Sequence, residues 1–155
     1  MRAVVHRVSR AKVEVGSETV GAIEAGLCVL LSVGPHDDQA IAERLAGRIA
    51  TLRVFPDAAG RMNLDVASSG GAILAVSQFT LHADTSRGHR PAFVRAATPE
   101  RAAELYDAFV AALRLRVPRF RSPAGTGGRP PELLRYSGAG GEDEQLAALR
   151  ARRAG

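Results

Sequence analysis

Along the first third of the chain, hydrophobic and polar positions alternate with the two-residue period of a half-buried strand. Arg2 to Val8 alternates around Val4 and Val5, and Ala11-Lys12-Val13-Glu14-Val15 puts apolar and charged residues on opposite faces. Gly16-Ser17-Glu18 reads as a hairpin turn into Thr19-Val20-Gly21-Ala22-Ile23. Gly26 precedes the apolar run Leu27-Cys28-Val29-Leu30-Leu31-Ser32-Val33, which fits a strand buried on both faces. The period then changes. From Gln39 to Ala50, Ile41, Leu45 and Ile49 recur every four residues, which predicts an amphipathic helix with Asp37 or Asp38 as its N-cap. Leu52 to Phe55 reads as a short strand, Pro56 to Gly60 as a turn, Met62 to Val66 as extended chain and Ser68 to Gly71 as a loop. Ala72 to Gln78 is a second buried strand, and His82 to Ala97 is irregular. Thr98-Pro99-Glu100 opens a second helix with a capping hydroxyl, a proline at the first helical position and an acid near the positive dipole end. Its apolar face, Ala102, Leu105, Tyr106, Phe109, Val110 and Leu113, carries it to Leu113 or Leu115.

Beyond Val117 the pattern fades. Residues 118–155 hold seven of the sixteen glycines and four of the eight prolines, with one clear apolar cluster at Leu133-Leu134 and a short helix conceivable over 145–153. The expected organisation is one domain over 1–117 and an Arg/Gly/Pro-rich, poorly ordered tail over 118–155. Charge follows the same division. Through residue 113, eleven arginines and Lys12 balance twelve acids, and the formal excess of +5 arises entirely from nine arginines against four acids in 114–155. The high pI is thus no sign of a basic face on the folded body. Arginine outnumbers lysine twenty to one, which fits GC-rich coding, and a reading-frame shift near Arg116 would fit the composition of the tail. No run approaches the ~18–20 apolar residues of a membrane span, and the N-terminus lacks a secretory pattern. The lone Cys28 lies in an apolar run and reads as a small buried hydrophobe. Cytoplasm is the expected location.

Chemistry-bearing patterns are few. His6, His36, His82 and His89 show no metal-ligand spacing, so no metal is expected, and neither a phosphate-binding Gly-Lys-Ser/Thr loop nor Gly-x-Ser-x-Gly occurs. Two segments remain. In Ser77-Gln78-Phe79-Thr80-Leu81, hydroxyls and an amide follow a fully apolar strand, where polar groups must be paired or used. They either satisfy backbone groups at a strand end or form a site whose N–H groups receive a carbonyl as charge develops on its oxygen. Arg87-Gly88-His89-Arg90-Pro91-Ala92-Phe93 is either a solvated loop or an anion-binding one. In the second reading Arg87 and Arg90 clasp phosphate oxygens and Phe93 walls the site.

These blocks, in order, resemble the D-aminoacyl-tRNA deacylases over roughly residues 1–113. The resemblance rests on Met1 to Val13, Gly26 to Val33 followed by Asp37-Asp38, and Arg53-Val54-Phe55-Pro56-Asp57 with Gly60-Arg61-Met62-Asn63. It continues through Val76 to Leu81, Arg87 to Phe93, and Ala103-Glu104-Leu105-Tyr106-Asp107. It implies an α/β fold, a single domain with a curved, mainly antiparallel sheet flanked by two helices, paired as a homodimer. It further implies cofactor-free and metal-free hydrolysis of the ester of D-aminoacyl-tRNA, assisted by the tRNA 2′-hydroxyl. Ser77, Gln78, Phe79 and Thr80 would form the catalytic site, with Phe79 and Thr80 N–H groups on the carbonyl side. Thr80 would position rather than attack, since neither His82 nor Asp84 is placed by motif to activate it. Arg87, Arg90 and Phe93 would meet the 3′ end of the tRNA. The family's late Asn-x-Gly-Pro-Val-Thr segment, which excludes L-amino acids, has no counterpart after Leu113. Its nearest echo is Glu132 to Ala139, and Gly34-Pro35 does not correspond to it. Two other readings therefore stand beside the deacylase: a non-catalytic RNA-binding or interaction module on the same scaffold, and a deacylase acting on glycine or small L-amino acids.

Overall fold

The computed structural model describes residues 1–15 and 17–123, and the backbone of strands at 133–138 and 146–150. The two strands expected at the N-terminus are one, β1 (Arg2–Val15), fourteen residues long. β2 (Glu18–Ile23) and β3 (Gly26–Ser32) pair with it in antiparallel register, Ala11 opposite Ile23 and Val8 opposite Gly26, like one long hairpin arm interrupted at Glu24-Ala25. Its other edge pairs antiparallel with β8 (Leu133–Gly138) and β9 (Leu146–Arg150). The helix considered for 145–153 is thus a strand over Leu146–Arg150, because pairing with β1 overrides the local helix preference of leucine and alanine. The expectation of a poorly ordered tail otherwise falls on residues 124–132, 139–145 and 151–155, outside the described residues.

β3 pairs in parallel with β6 (Ala72–Ser77), and β6 with β7 (Phe120–Arg121), giving a mixed seven-stranded sheet. β4 (Phe55–Pro56) and β5 (Met62–Leu64) form a separate small ribbon, shorter than the extended stretches expected there. α1 (Gln39–Ala50) is capped by Asp38, whose Oδ1 accepts from Ile41 N–H at 2.8 Å. α2 (Pro99–Arg114) begins after Thr98 and ends inside the expected bounds.

Both faces of the central strands are apolar because both are covered. Ala3, Val5, Leu27, Val29, Leu31, Ile73 and Ala75 meet Ile41, Leu45 and Ile49 of α1 and Leu105, Phe109 and Leu113 of α2. Val8, Ala11, Val13, Cys28, Leu74 and Val76 gather in a second cluster. Ordinary alternation puts Val8 on the face opposite Ala3 and Val5, and Ala11 and Val13 join Val8 there because of a register shift between Val8 and Arg10, where one extra residue turns the alternation over. Cys28 is fully buried, and burial pushes its thiol up to about 12; it is a core residue.

The closest backbone approach lies where β3 begins. A Cβ on Gly26 would stand 1.9 Å from Ala72 O and 2.7 Å from Ala72 N, atoms that cannot yield without breaking the β3–β6 ladder. Gly26→Ala is therefore expected to cost more than the ~1–3 kcal/mol of ordinary overpacking. Urea denaturation checks it; a midpoint within error of wild type would refute the close approach.

Candidate functional site

The site grows from the end of the parallel pair. Ser77, the last residue of β6, lies opposite Leu31, and Gln78 N–H donates to Leu31 O at 2.7 Å as a final rung. The chain then turns into a 3-10 helix, Phe79–His82, which sequence periodicity did not reveal because one turn is too short to show a period. Leu81 N–H donates to Gln78 O and Ala83 N–H to Thr80 O. The N–H groups of Phe79 and Thr80 open the turn, where helix geometry supplies no carbonyl behind them.

Four expected residues come together here. Ser77 and Gln78 are half-buried, Phe79 and Thr80 are exposed, and Gln78 Nε2 donates to Thr80 Oγ1. Phe93 joins them from the following loop, its ring edge-on to Phe79 with centroids 5.0 Å apart. Phe79 retains 36% exposure, so it is a wall of the site and not part of the core. Arg87 and Arg90 lie on the exposed segment of that loop, with no ion pair to them among the described residues. Neither is brought against Thr80 by any described contact.

The loop itself is organised by Asp84, which sequence reasoning did not count in the site. Asp84 and Ala92 exchange backbone hydrogen bonds at 2.8 and 2.9 Å, closing the basic segment at its base. The Asp84 carboxylate accepts from Ser86 N–H at 2.9 Å and faces Arg95 Nε at 3.4 Å. The Ser86 bond, first, and Arg95 hold its pKa below the usual 3.8. Gly88, at φ 137°, takes a backbone conformation that a side chain would resist.

Two more missed residues lie beneath the turn. Ser32 Oγ is 2.5 Å from His82 Nδ1 and 3.4 Å from Phe79 O, and Arg2 Nη1 donates to Leu81 O at 2.6 Å. His82 is buried, and its other nitrogen faces Gly34, which Asp37 Oδ2 holds through the Gly34 N–H at 2.6 Å. Neither His82 nor Asp84 is hydrogen-bonded to Thr80; both side chains are engaged elsewhere. Among the described residues, no three His, Cys, Asp or Glu side chains cluster to hold a metal ion, and no helix is long and apolar enough to cross a membrane.

A family profile described as D-Tyr-tRNA(Tyr) deacylase matches residues 4–126. The chain belongs to this family. A D-aminoacyl-tRNA deacylase of Symbiobacterium thermophilum is 57% identical over 114 residues, 74% of this chain and 76% of the relative. One from Koribacter versatilis is 57% identical over 116 residues, 75% of this chain and 78% of the relative. Among solved structures, a c-Myc DNA Unwinding Element Binding Protein superposes with a TM-score of 0.86 at 32% identity, covering 98% of this chain and 99% of its own. A probable eukaryotic D-amino acid tRNA deacylase shares the fold, with a TM-score of 0.78 at 13% identity over 96% of this chain and 98% of its own.

The buried histidine gives this member a measurable signature. Burial first, then the positive charges of Arg2 and the Met1 amino group, lower the His82 pKa from 6.5, with Asp37 opposing them. Below about pH 6.5 the unfolded chain then binds more protons at this residue than the folded one, so stability falls as pH falls through that window. Asp57, Asp65 and Asp84 carry pKa values lowered from 3.8, so their contributions are lost only at more acid pH. Urea midpoints between about pH 7 and 5 should decline in wild type and flatten in His82→Asn. Identical slopes in the two proteins would show that His82 is not held neutral.

Proposed function

We infer that this chain hydrolyses the ester of D-aminoacyl-tRNA, releasing free D-amino acid and tRNA in translation quality control. Family membership and the deacylase names of relatives above 50% identity support the reaction. The observation that carries the site is the opening of the Phe79–His82 turn. Two adjacent N–H groups there, without carbonyl partners in the turn, sit beside Thr80 and the Phe79–Phe93 pair. Such a pair of donors stabilises the oxyanion of a tetrahedral intermediate.

Thr80 is a hydrogen-bonding residue of this site. Its Oγ1 accepts from Gln78 and, among the described residues, has no histidine or carboxylate bonded to it that could remove its proton. Attack falls to water, assisted by the tRNA's own 2′-hydroxyl, with no metal and no cofactor. Phe93 faces the aminoacyl-adenosine, and Arg87 and Arg90 take the phosphates of the 3′ end as charge-assisted donors. The working protein is a cytoplasmic homodimer.

Purified protein incubated with D-tyrosyl-, L-tyrosyl- and glycyl-tRNA should release amino acid from the D-form. Loss of all three esters would mark relaxed selectivity, and no loss from any would mark a binding module. Thr80→Ala should reduce the rate by about one to three powers of ten, the range for losing one transition-state hydrogen bond. A D-aminoacyl ester on tRNA ending in 2′-deoxyadenosine should resist cleavage. Rapid cleavage of that substrate, with an aminoacyl-Thr80 adduct trapped by acid quench, would overturn substrate assistance. Phe79→Ala should lower activity and leave the melting temperature nearly unchanged, whereas loss of a buried aromatic costs roughly 3–5 kcal/mol.

A further inference from the structure

We propose that Ser32 and His82 act as a positioning pair that aims the Thr80 N–H. The inference rests on the reading that the Phe79 and Thr80 N–H groups receive the substrate's carbonyl side. The geometry begins with the peptide group. Phe79 C=O and Thr80 N–H belong to one planar trans unit and point in opposite directions. Whatever grips Phe79 O therefore fixes where Thr80 N–H points. Ser32 Oγ is the side-chain donor on that carbonyl, at 3.4 Å, and Ser32 is buried at the end of β3.

A serine hydroxyl has one hydrogen to give. If it goes to His82 Nδ1, 2.5 Å away, none remains for Phe79 O. One tautomer satisfies Nδ1, Oγ and the carbonyl together: His82 Nδ1–H donates to Ser32 Oγ, and Ser32 Oγ–H donates to Phe79 O. Nε2 is then bare, turned towards Gly34, where a Cβ would stand 3.3 Å from it and 3.2 Å from Asp37 Oδ2. Burial first, then Arg2 and the Met1 amino group, disfavour a second proton on the ring, and Asp37 opposes them. Arg2, bonded to Leu81 O from the first residue of β1, fastens the same turn two residues on. Two of the turn's carbonyls, Phe79 O and Leu81 O, are thus tied to the sheet, which turns the Thr80 N–H away from it.

The decisive experiment measures kcat and KM on D-tyrosyl-tRNA for Ser32→Ala, His82→Ala, His82→Asn and the Ser32→Ala/His82→Ala double variant, with Thr80→Ala and Gln78→Ala in parallel. Both single alanine variants should lose kcat by on the order of ten-fold with KM nearly unchanged, as expected when a donor is displaced by a fraction of an ångström. The double variant should lose no more than either single, because the two residues act as one unit. His82→Asn, whose amide N–H stands where Nδ1–H stood, should recover most of the loss. Loss in Thr80→Ala and Gln78→Ala with wild-type kcat in Ser32→Ala and His82→Ala would overturn the positioning role and leave the site reading intact. Wild-type kcat in all of them would overturn both. Should the alanine variants fail to fold, the imidazole nitrogen resonances of the wild type decide: a protonated Nδ1 is expected, and a neutral ring protonated only at Nε2 refutes the pair.

Discussion

One hydrogen bond, Gln78 N–H to Leu31 O at 2.7 Å, ends the β3–β6 ladder and sets where the 3-10 turn of the candidate site begins. Up to that rung the chain follows the sheet, buried on both faces and saturated in its backbone. One residue later it has left the ladder, and its next two N–H groups have neither a strand partner nor a preceding helical carbonyl. Polar chemistry needs such a discontinuity, because a fully paired backbone has no donors to lend. The parallel pairing of β3 with β6 therefore does more than close the sheet. It brings the end of β6 beside Ser32, so that support and site arise from adjacent strand ends.

The remainder of the fold holds those two strands in place. β3 is trapped between β1 and β6, and the close approach at Gly26 sets the start of their register. β1 in turn pairs along both edges, with β2 and β3 on one and β8 and β9 on the other, so four registers are set against it. The helices α1 and α2 cover the same face of β3 and β6, with Phe109 and Leu113 in one core cluster with Leu31 and Ile73. Rigid scaffolding on one side and a short, exposed turn on the other is the arrangement expected of a preorganised electrostatic site.

Much of this was legible in residues close together in the chain. Alternation revealed β1, the apolar run revealed β3, and the cap and period revealed both helices, since each signal lies within one element. Ser77 to Thr80 stood out for the same reason: polar groups directly after a buried strand demand a use. What escaped was carried by distance. Ser32 and His82 are 50 residues apart and Arg2 and Leu81 are 79 apart, and no local pattern links them. The break at Ser9 also escaped, because Val8-Ser9-Arg10-Ala11 reads as a gap between two strands when it is a shift of register within one. The short strand expected at Leu52 to Phe55 shrank to Phe55–Pro56, a proline strand that can pair on one side only.

The same distinction bears on where substrate recognition resides. Formal charge balances through residue 113, so net charge gives this part of the molecule no general attraction for RNA, and the placement of individual cations matters. Of the loop arginines, Arg95 is set against Asp84, whereas Arg87 and Arg90 sit on the segment that the Asp84–Ala92 bridge closes off and projects. One carboxylate thus serves two purposes: it folds the loop through Ser86 N–H and neutralises the arginine nearest the base. The cations at the exposed end have no ion pair among the described residues, and Phe93, further along the same loop, carries an aromatic contact with Phe79. The cationic loop and the opening of the 3-10 turn are therefore two separate short segments after β6, and Phe93 on Phe79 is the contact that joins them.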